Sequence, residues 1–229
     1  MTVKQALKLI LSGTIAFAAT LLLHGVAQAA SITDPAGDFL FTYTGVQAGD
    51  LDVLSSEVTL NGTQLFFSAT LAAAVGTTPS AFYVFGLDRG QGTQRFVTGT
   101  PSVGAGVVFD SVVILRPDGT GNFNDLLNSA NSITLNPASI SISGSQISAI
   151  FDVSLFPSTG FAAVDYTWNL WPRLGSISGN AAISDFAPDA SNASVAVPEP
   201  SGIAGLLAIG FGGLMMVGRT RRILNVSKS

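Results

Sequence analysis

Aspartate is the residue type in this chain best placed to do chemistry, and it comes in runs. Asp34-Pro35-Ala36-Gly37-Asp38, Gly49-Asp50-Leu51-Asp52, Gly86-Leu87-Asp88-Arg89-Gly90 and Ser184-Asp185-Phe186-Ala187-Pro188-Asp189 place most of the acid beside glycine or proline. A hard cation such as calcium takes about six to eight oxygen ligands, and carboxylates on neighbouring loops can supply them. Asp34, Asp38, Asp50, Asp52, Asp88 and Asp185 are therefore candidate calcium ligands. The same residues also suit turns, where an aspartate accepts hydrogen bonds from its own backbone. None of the runs has the one-residue alternation of an EF-hand loop, so spacing alone leaves both readings open.

Most other chemistry is excluded by residue type. The chain has no cysteine, so it has no disulfide framework, no thiolate metal site and no cysteine nucleophile. Its single histidine is His24, and there is no lysine between Ala30 and Pro198, which removes serine triads and serine-lysine dyads from that region. A carboxylate pair for glycoside hydrolysis needs only two acids, but Glu57 is the sole glutamate there and the aspartates lie in turns. The expectation is a protein that is not an enzyme and needs no cofactor other than that candidate calcium. Three aromatics, Tyr166, Trp168 and Trp171, could offer flat faces to a sugar. In a strand Tyr166 and Trp168 share one face and Trp171 points the other way, which leaves Trp171 as the candidate sugar contact beside the alternative that it caps a strand end.

The elements that must position these residues have a period of two. Val58 and Leu60 alternate with Glu57 and Thr59, then Asn61-Gly62 intervenes, then Leu65, Phe67, Ala69 and Leu71 alternate with Gln64, Phe66, Ser68 and Thr70. Two such runs joined by Asn-Gly predict a hairpin with both turn residues at positive φ. Further strands are expected at Phe82–Leu87, Arg95–Thr98, Gly106–Leu115, Ile140–Ser143, Gln146–Val153, Asp165–Trp171 and Ala182–Phe186. Asn124–Ala130 is the only helix-like stretch. Many short strands without crossover helices predict an all-β fold, an antiparallel β-sandwich over residues 30–191 followed by a small-residue linker at 192–197. Thirteen acidic residues against four arginines give Ala30–Pro198 a net charge of −9, which argues against nucleic acid and anionic lipid as partners and is compatible with cations, neutral sugars or basic proteins.

The chain as a whole is 229 residues, 47% hydrophobic and only 10% charged, and its ends account for that imbalance. Lys4 and Lys8, an uncharged run from Leu9 to Leu23 and then Ala27-Gln28-Ala29 have the layout of a secretory signal peptide over residues 1–29, with cleavage by signal peptidase expected after Ala29. Gly202–Gly218 is an uncharged run of about 17 residues, at the lower end of what spans a membrane as a single transmembrane helix. Arg219, Arg221 and Arg222 follow it as a basic stop-transfer cluster, which puts the tail, residues 223–229, in the cytoplasm and the sandwich outside the inner membrane. Pro198-Glu199-Pro200 stands just before the span, where two prolines hold the backbone extended.

This order of tripeptide, glycine-rich apolar segment and arginines, over residues 198–222, resembles the PEP-CTERM sorting signal. The resemblance implies an exopolysaccharide-producing Gram-negative host and processing by exosortase, a membrane enzyme that would recognise Pro198, Glu199 and Pro200. It also implies a membrane-anchored precursor whose product reaches the cell surface or the extracellular biofilm matrix. Within the exported domain, Thr33-Asp34-Pro35-Ala36-Gly37-Asp38, Gly49-Asp50-Leu51-Asp52-Val53, Leu65-Phe66-Phe67, the strand Tyr83 to Asp88 and Asp185-Phe186-Ala187-Pro188-Asp189 resemble secreted modules related to DOMON and carbohydrate-binding domains. That likeness implies a jelly-roll-like sandwich with a binding role. The expected function is an exported, non-enzymatic surface or extracellular-matrix protein associated with exopolysaccharide; the alternative is a secreted carbohydrate- or calcium-binding module.

Overall fold

A computed structural model describes residues 31–198. The expected signal peptide, Glu199 and Pro200 of the sorting tripeptide, the apolar span, the arginine cluster and the tail lie outside the described residues. Residues Ala29–Pro198 form one compact unit. Among the described residues there are eleven strands and short 3-10 turns but no α-helix. The strands are β1 Ile32–Thr33, β2 Val53–Asn61, β3 Gln64–Leu71, β4 Ala81–Asp88, β5 Ser111–Leu115, β6 Gly121–Asp125, β7 Ile133–Thr134, β8 Ile140–Ser143, β9 Gln146–Asp152, β10 Thr167–Leu174 and β11 Ala193–Ser194. They form two antiparallel sheets, a five-stranded one in the order β1-β2-β3-β9-β8 and a six-stranded one in the order β11-β10-β4-β5-β6-β7.

Alternation explains the five-stranded sheet. Val58, Leu60, Leu65, Phe67, Ile147 and Phe151 point to one side and join Tyr83, Phe85, Val113, Trp168 and Leu170 of the six-stranded sheet in a shared core. Phe67 and Phe85 meet edge to face across it, with ring centroids 5.4 Å apart. The six-stranded sheet is covered on its other side too, which is why β4 reads as a nearly unbroken apolar run. Its second cover is the long connection from β4 to β5, whose Phe96, Val107 and Phe109 pack with Ile183 and Phe186 around Val84 and Trp171. Gly86 makes room there, since a Cβ at that position would stand 2.4 Å from the Trp171 ring.

Several expectations change in detail. The β2–β3 hairpin is present, but Asn61 pairs with Gln64, so the two-residue turn is Gly62-Thr63, not Asn61-Gly62. Only Gly62 has positive φ, at 60°, the pattern of a turn with glycine first. Arg95–Thr98 is a turn in the covering loop, and only the last five residues of Gly106–Leu115 pair as a strand. Ala182–Phe186 touches β10 through an isolated bridge at Ile183 rather than as a strand. Gly121–Asp125 is a strand where its small and polar residues gave little apolar alternation, and it uses the start of the stretch expected to be helix-like. Residues 192–197 are not a linker: β11 pairs with β10, and Ala196 lies beside Thr59 of β2, so this segment passes from one sheet to the other and closes that edge.

A candidate metal centre

The acidic runs separate by what their oxygens already hold. Asp50 accepts a 2.8 Å bond from the Thr78 amide and a second from the Thr78 hydroxyl, so its carboxylate is satisfied inside the fold. Asp88 accepts from the Gly90 and Gly92 amides at 2.9 and 2.8 Å, the ordinary aspartate turn. Asp50 is thus spent on holding the loop before β4 and Asp88 on its own turn, and neither belongs to the acidic cluster.

Asp34, Asp38 and Asp185 come together, joined by Asp189, and one oxygen of each lies within 4.8 Å of the others. Three separate stretches of chain make this meeting. Asp34 and Asp38 bracket the tight turn that follows β1, made possible by Gly37 at φ 82°. Asp185 is 1% exposed and is fixed by bonds from the Val53 amide to Oδ2 and from the Phe186 amide to Oδ1, at 3.0 and 2.7 Å. Asp52, just before β2, adds a fifth carboxylate facing the same turn: its Oδ2 accepts from the Gly37 amide at 2.9 Å.

Three oxygens here are sequestered from water with no donor, namely Asp34 Oδ2, Asp38 Oδ1 and Oδ1 of Asp52, a residue only 5% exposed. A buried carboxylate oxygen without a donor is costly unless a cation meets it. No arginine supplies one. The ion pairs among the described residues both belong to Arg89, which is held by Asp110 at 2.7 Å and Asp125 at 3.1 Å in a separate buried network. Desolvation is the main cause that pushes Asp34 up to about 7, with repulsion from Asp38 and Asp189 adding to it. Desolvation likewise pushes Asp185 up to about 8, against the Val53 bond and with repulsion from Asp34 and Asp38. Asp52 is raised by burial as well.

The spacing suits a calcium ion. Oxygens on opposite sides of a calcium, each about 2.3–2.6 Å from it, stand about 5 Å apart. Magnesium keeps most of its water and usually takes only one or two carboxylates, which fits this many acids less well. Asp189 was legible only as the end of the Asp185–Asp189 run; its membership depends on how that segment folds back against the β1 turn. Trp171, the candidate sugar contact, is 2% exposed and stands edge-on to Phe96 with ring centroids 4.9 Å apart. It is a core residue with no free ring face, because both faces of its sheet are covered. Pro198, the described residue of the sorting tripeptide, is exposed at the end of the domain. Comparison with protein-family models and with curated proteins finds no match for the chain.

Proposed function

We propose that the protein is an exported, non-enzymatic surface or extracellular-matrix protein whose jelly-roll-like β-sandwich holds a calcium ion between Asp34, Asp38, Asp185 and Asp189. The observation that carries the calcium part is the convergence of those carboxylates, with donorless buried oxygens and no counter-cation. The ion would join the first loop of the exported domain to the segment before its last strand, so its work is structural: it neutralises the carboxylates and fastens the two ends. Delivery rests on the terminal segments and their resemblance to a secretory signal and a PEP-CTERM signal, with exosortase as the processing partner and exopolysaccharide as the surrounding matrix.

A ligand bound only by the native state raises its stability. Millimolar calcium is therefore expected to raise the melting temperature of the purified protein relative to the same sample in chelator, and magnesium to do so less. An identical melting temperature in calcium and in chelator would sink the reading. The carbohydrate-binding alternative has its own observation, a groove of about 190 Å³ on the outer face of the five-stranded sheet lined by Ser31, Ser55, Glu57, Ser68, Thr70 and Gln146. Neutral sugars suit such a lining, and a glycan array with no signal above background would remove that alternative.

A further inference from the structure

We infer that the protein associates with a second copy of itself edge to edge through β8. The two lateral edges of the molecule are finished differently. On the β2 and β10 side the chain closes its own edge: the Ala196 amide donates to the Val58 carbonyl at 2.8 Å, and the Leu60 amide donates to the Ala196 carbonyl at 2.7 Å. On the other side β8 is the last strand of its sheet and pairs only with β9. Ser141, Ile142 and Ser143 are exposed, and among the described residues no backbone bond from another segment reaches the free side of β8.

A free strand edge is a row of unpaired donors and acceptors, and proteins usually guard it with lysine, proline, a bulge or a covering loop. β8 reads Ile-Ser-Ile-Ser in regular register with β9 and contains none of these; its one guard is its length of four residues. Charge points to the occupant. Ala30–Pro198 carries thirteen acids against four arginines, yet Leu126–Phe151, the stretch holding β7, β8 and all of β9 except its last residue, Asp152, has no charged residue. Two acidic copies repel one another across their other surfaces and meet no repulsion here, whereas a basic partner would be drawn to the acidic faces instead. The pairing is also self-complementary. An antiparallel copy related by a two-fold axis presents the same alternation, so isoleucines continue one face of the joined sheet and serines the other. Ile133 on β7, the adjacent edge strand of the other sheet, is 36% exposed and extends the neutral apolar surface. Four residues of edge make a small interface, so the association is weak and depends on concentration.

The absence of native cysteine makes the test clean. Single cysteines placed as Ser141→Cys, Ile142→Cys and Ser143→Cys in the full chain, oxidised in membranes from expressing cells, are expected to give a disulfide-linked dimer from at least one position. Asn61→Cys at the end of β2 and Thr98→Cys in the loop covering the outer face of the six-stranded sheet, both exposed and away from β8, are expected to give none. A lysine added at the edge, as Ile142→Lys with Ser143→Cys or as Ser141→Lys with Ile142→Cys, is expected to lower the dimer yield about tenfold while the melting temperature holds. Absence of dimer from all three edge positions, equal yield from the controls, indifference to both lysines, or cross-linking to a protein of another mass would each overturn the inference.

Discussion

At the scale of single residues, the decisive property of an aspartate here is whether the fold has already given its oxygens donors. Asp50 and Asp88 have theirs, and Asp34, Asp38 and Asp52 each keep one without. Asp34→Asn and Asp185→Asn are therefore expected to abolish the calcium-dependent rise in melting temperature, while Asp88→Asn leaves it intact; a persistent rise in Asp185→Asn would count against the site. The calcium-free protein should also respond to pH. Asp34 and Asp185 sit at about 7 and about 8 when folded, above their unfolded value, so their stabilising effect is complete below about pH 4 and is lost as the pH rises through 7 to 8. In chelator, the melting temperature should fall across that window, and calcium should offset the fall because it binds the ionised form. Arg89 behaves differently, since its partners Asp110 and Asp125 are buried with it. Burial acts to raise Asp125, but bonds from Asn131, Arg89 and two backbone amides outweigh it and hold the group near 2, so its contribution is present above its unfolded value and lost as pH falls toward 2. Arg89→Ala strands two buried carboxylates and should cost about 3–5 kcal/mol in denaturant unfolding. The acidic runs were legible in the sequence; which of them meet was not, because Asp34 and Asp189 are brought together only by the fold of the whole domain.

At the scale of elements, legibility followed the number of covered faces. β2, β3 and β9 have one face in the core and one in water, so alternation located them. The segments that cover the outer face of the six-stranded sheet carry apolar residues for a different reason. Phe96, Phe109 and Phe186 plug a second core from loops, and their hydrophobicity imitates strands at Arg95–Thr98 and Ala182–Phe186. β6 shows the converse, because Gly121, Asn122 and Asn124 have little strand preference and the pairing with β5 carries it. Backbone sign can be tested at two turns. Ser80 is the one described non-glycine residue with positive φ, at 66°, whereas Gly62 at 60° is the glycine that a short hairpin turn requires. Ser80→Gly should stabilise and Gly62→Ala should destabilise, each by about 1 kcal/mol, a pair of opposite signs readable in one denaturant series. The same sign for both would contradict this account of the turns.

At the scale of the whole molecule, the weak net charge of −4 hides an acidic domain between two basic-flanked apolar segments. The fold restricts where the proposed sorting step can act. Had residues 192–197 been a free linker, an enzyme could cut anywhere within them. Instead Asn192 holds Val108 on the covering loop, Val195 donates to Tyr166, and Ala196 is bonded on both sides to β2. The first exposed residues after that are Val197, at 43%, and Pro198. A product cut before Ala196 would lose strand pairing that joins the two sheets, and with it the closure of that edge. Intact-mass measurement of the processed protein should therefore find a C-terminus at Ala196 or later, and replacing Pro198-Glu199-Pro200 with three alanines should leave the precursor unprocessed in the inner membrane. Because Pro198 makes no bond within the domain, the alanine variant should keep the calcium-dependent melting of the parent. A mature chain ending before Ala196, or normal processing of the alanine variant, would separate the terminal signal from the role proposed for it.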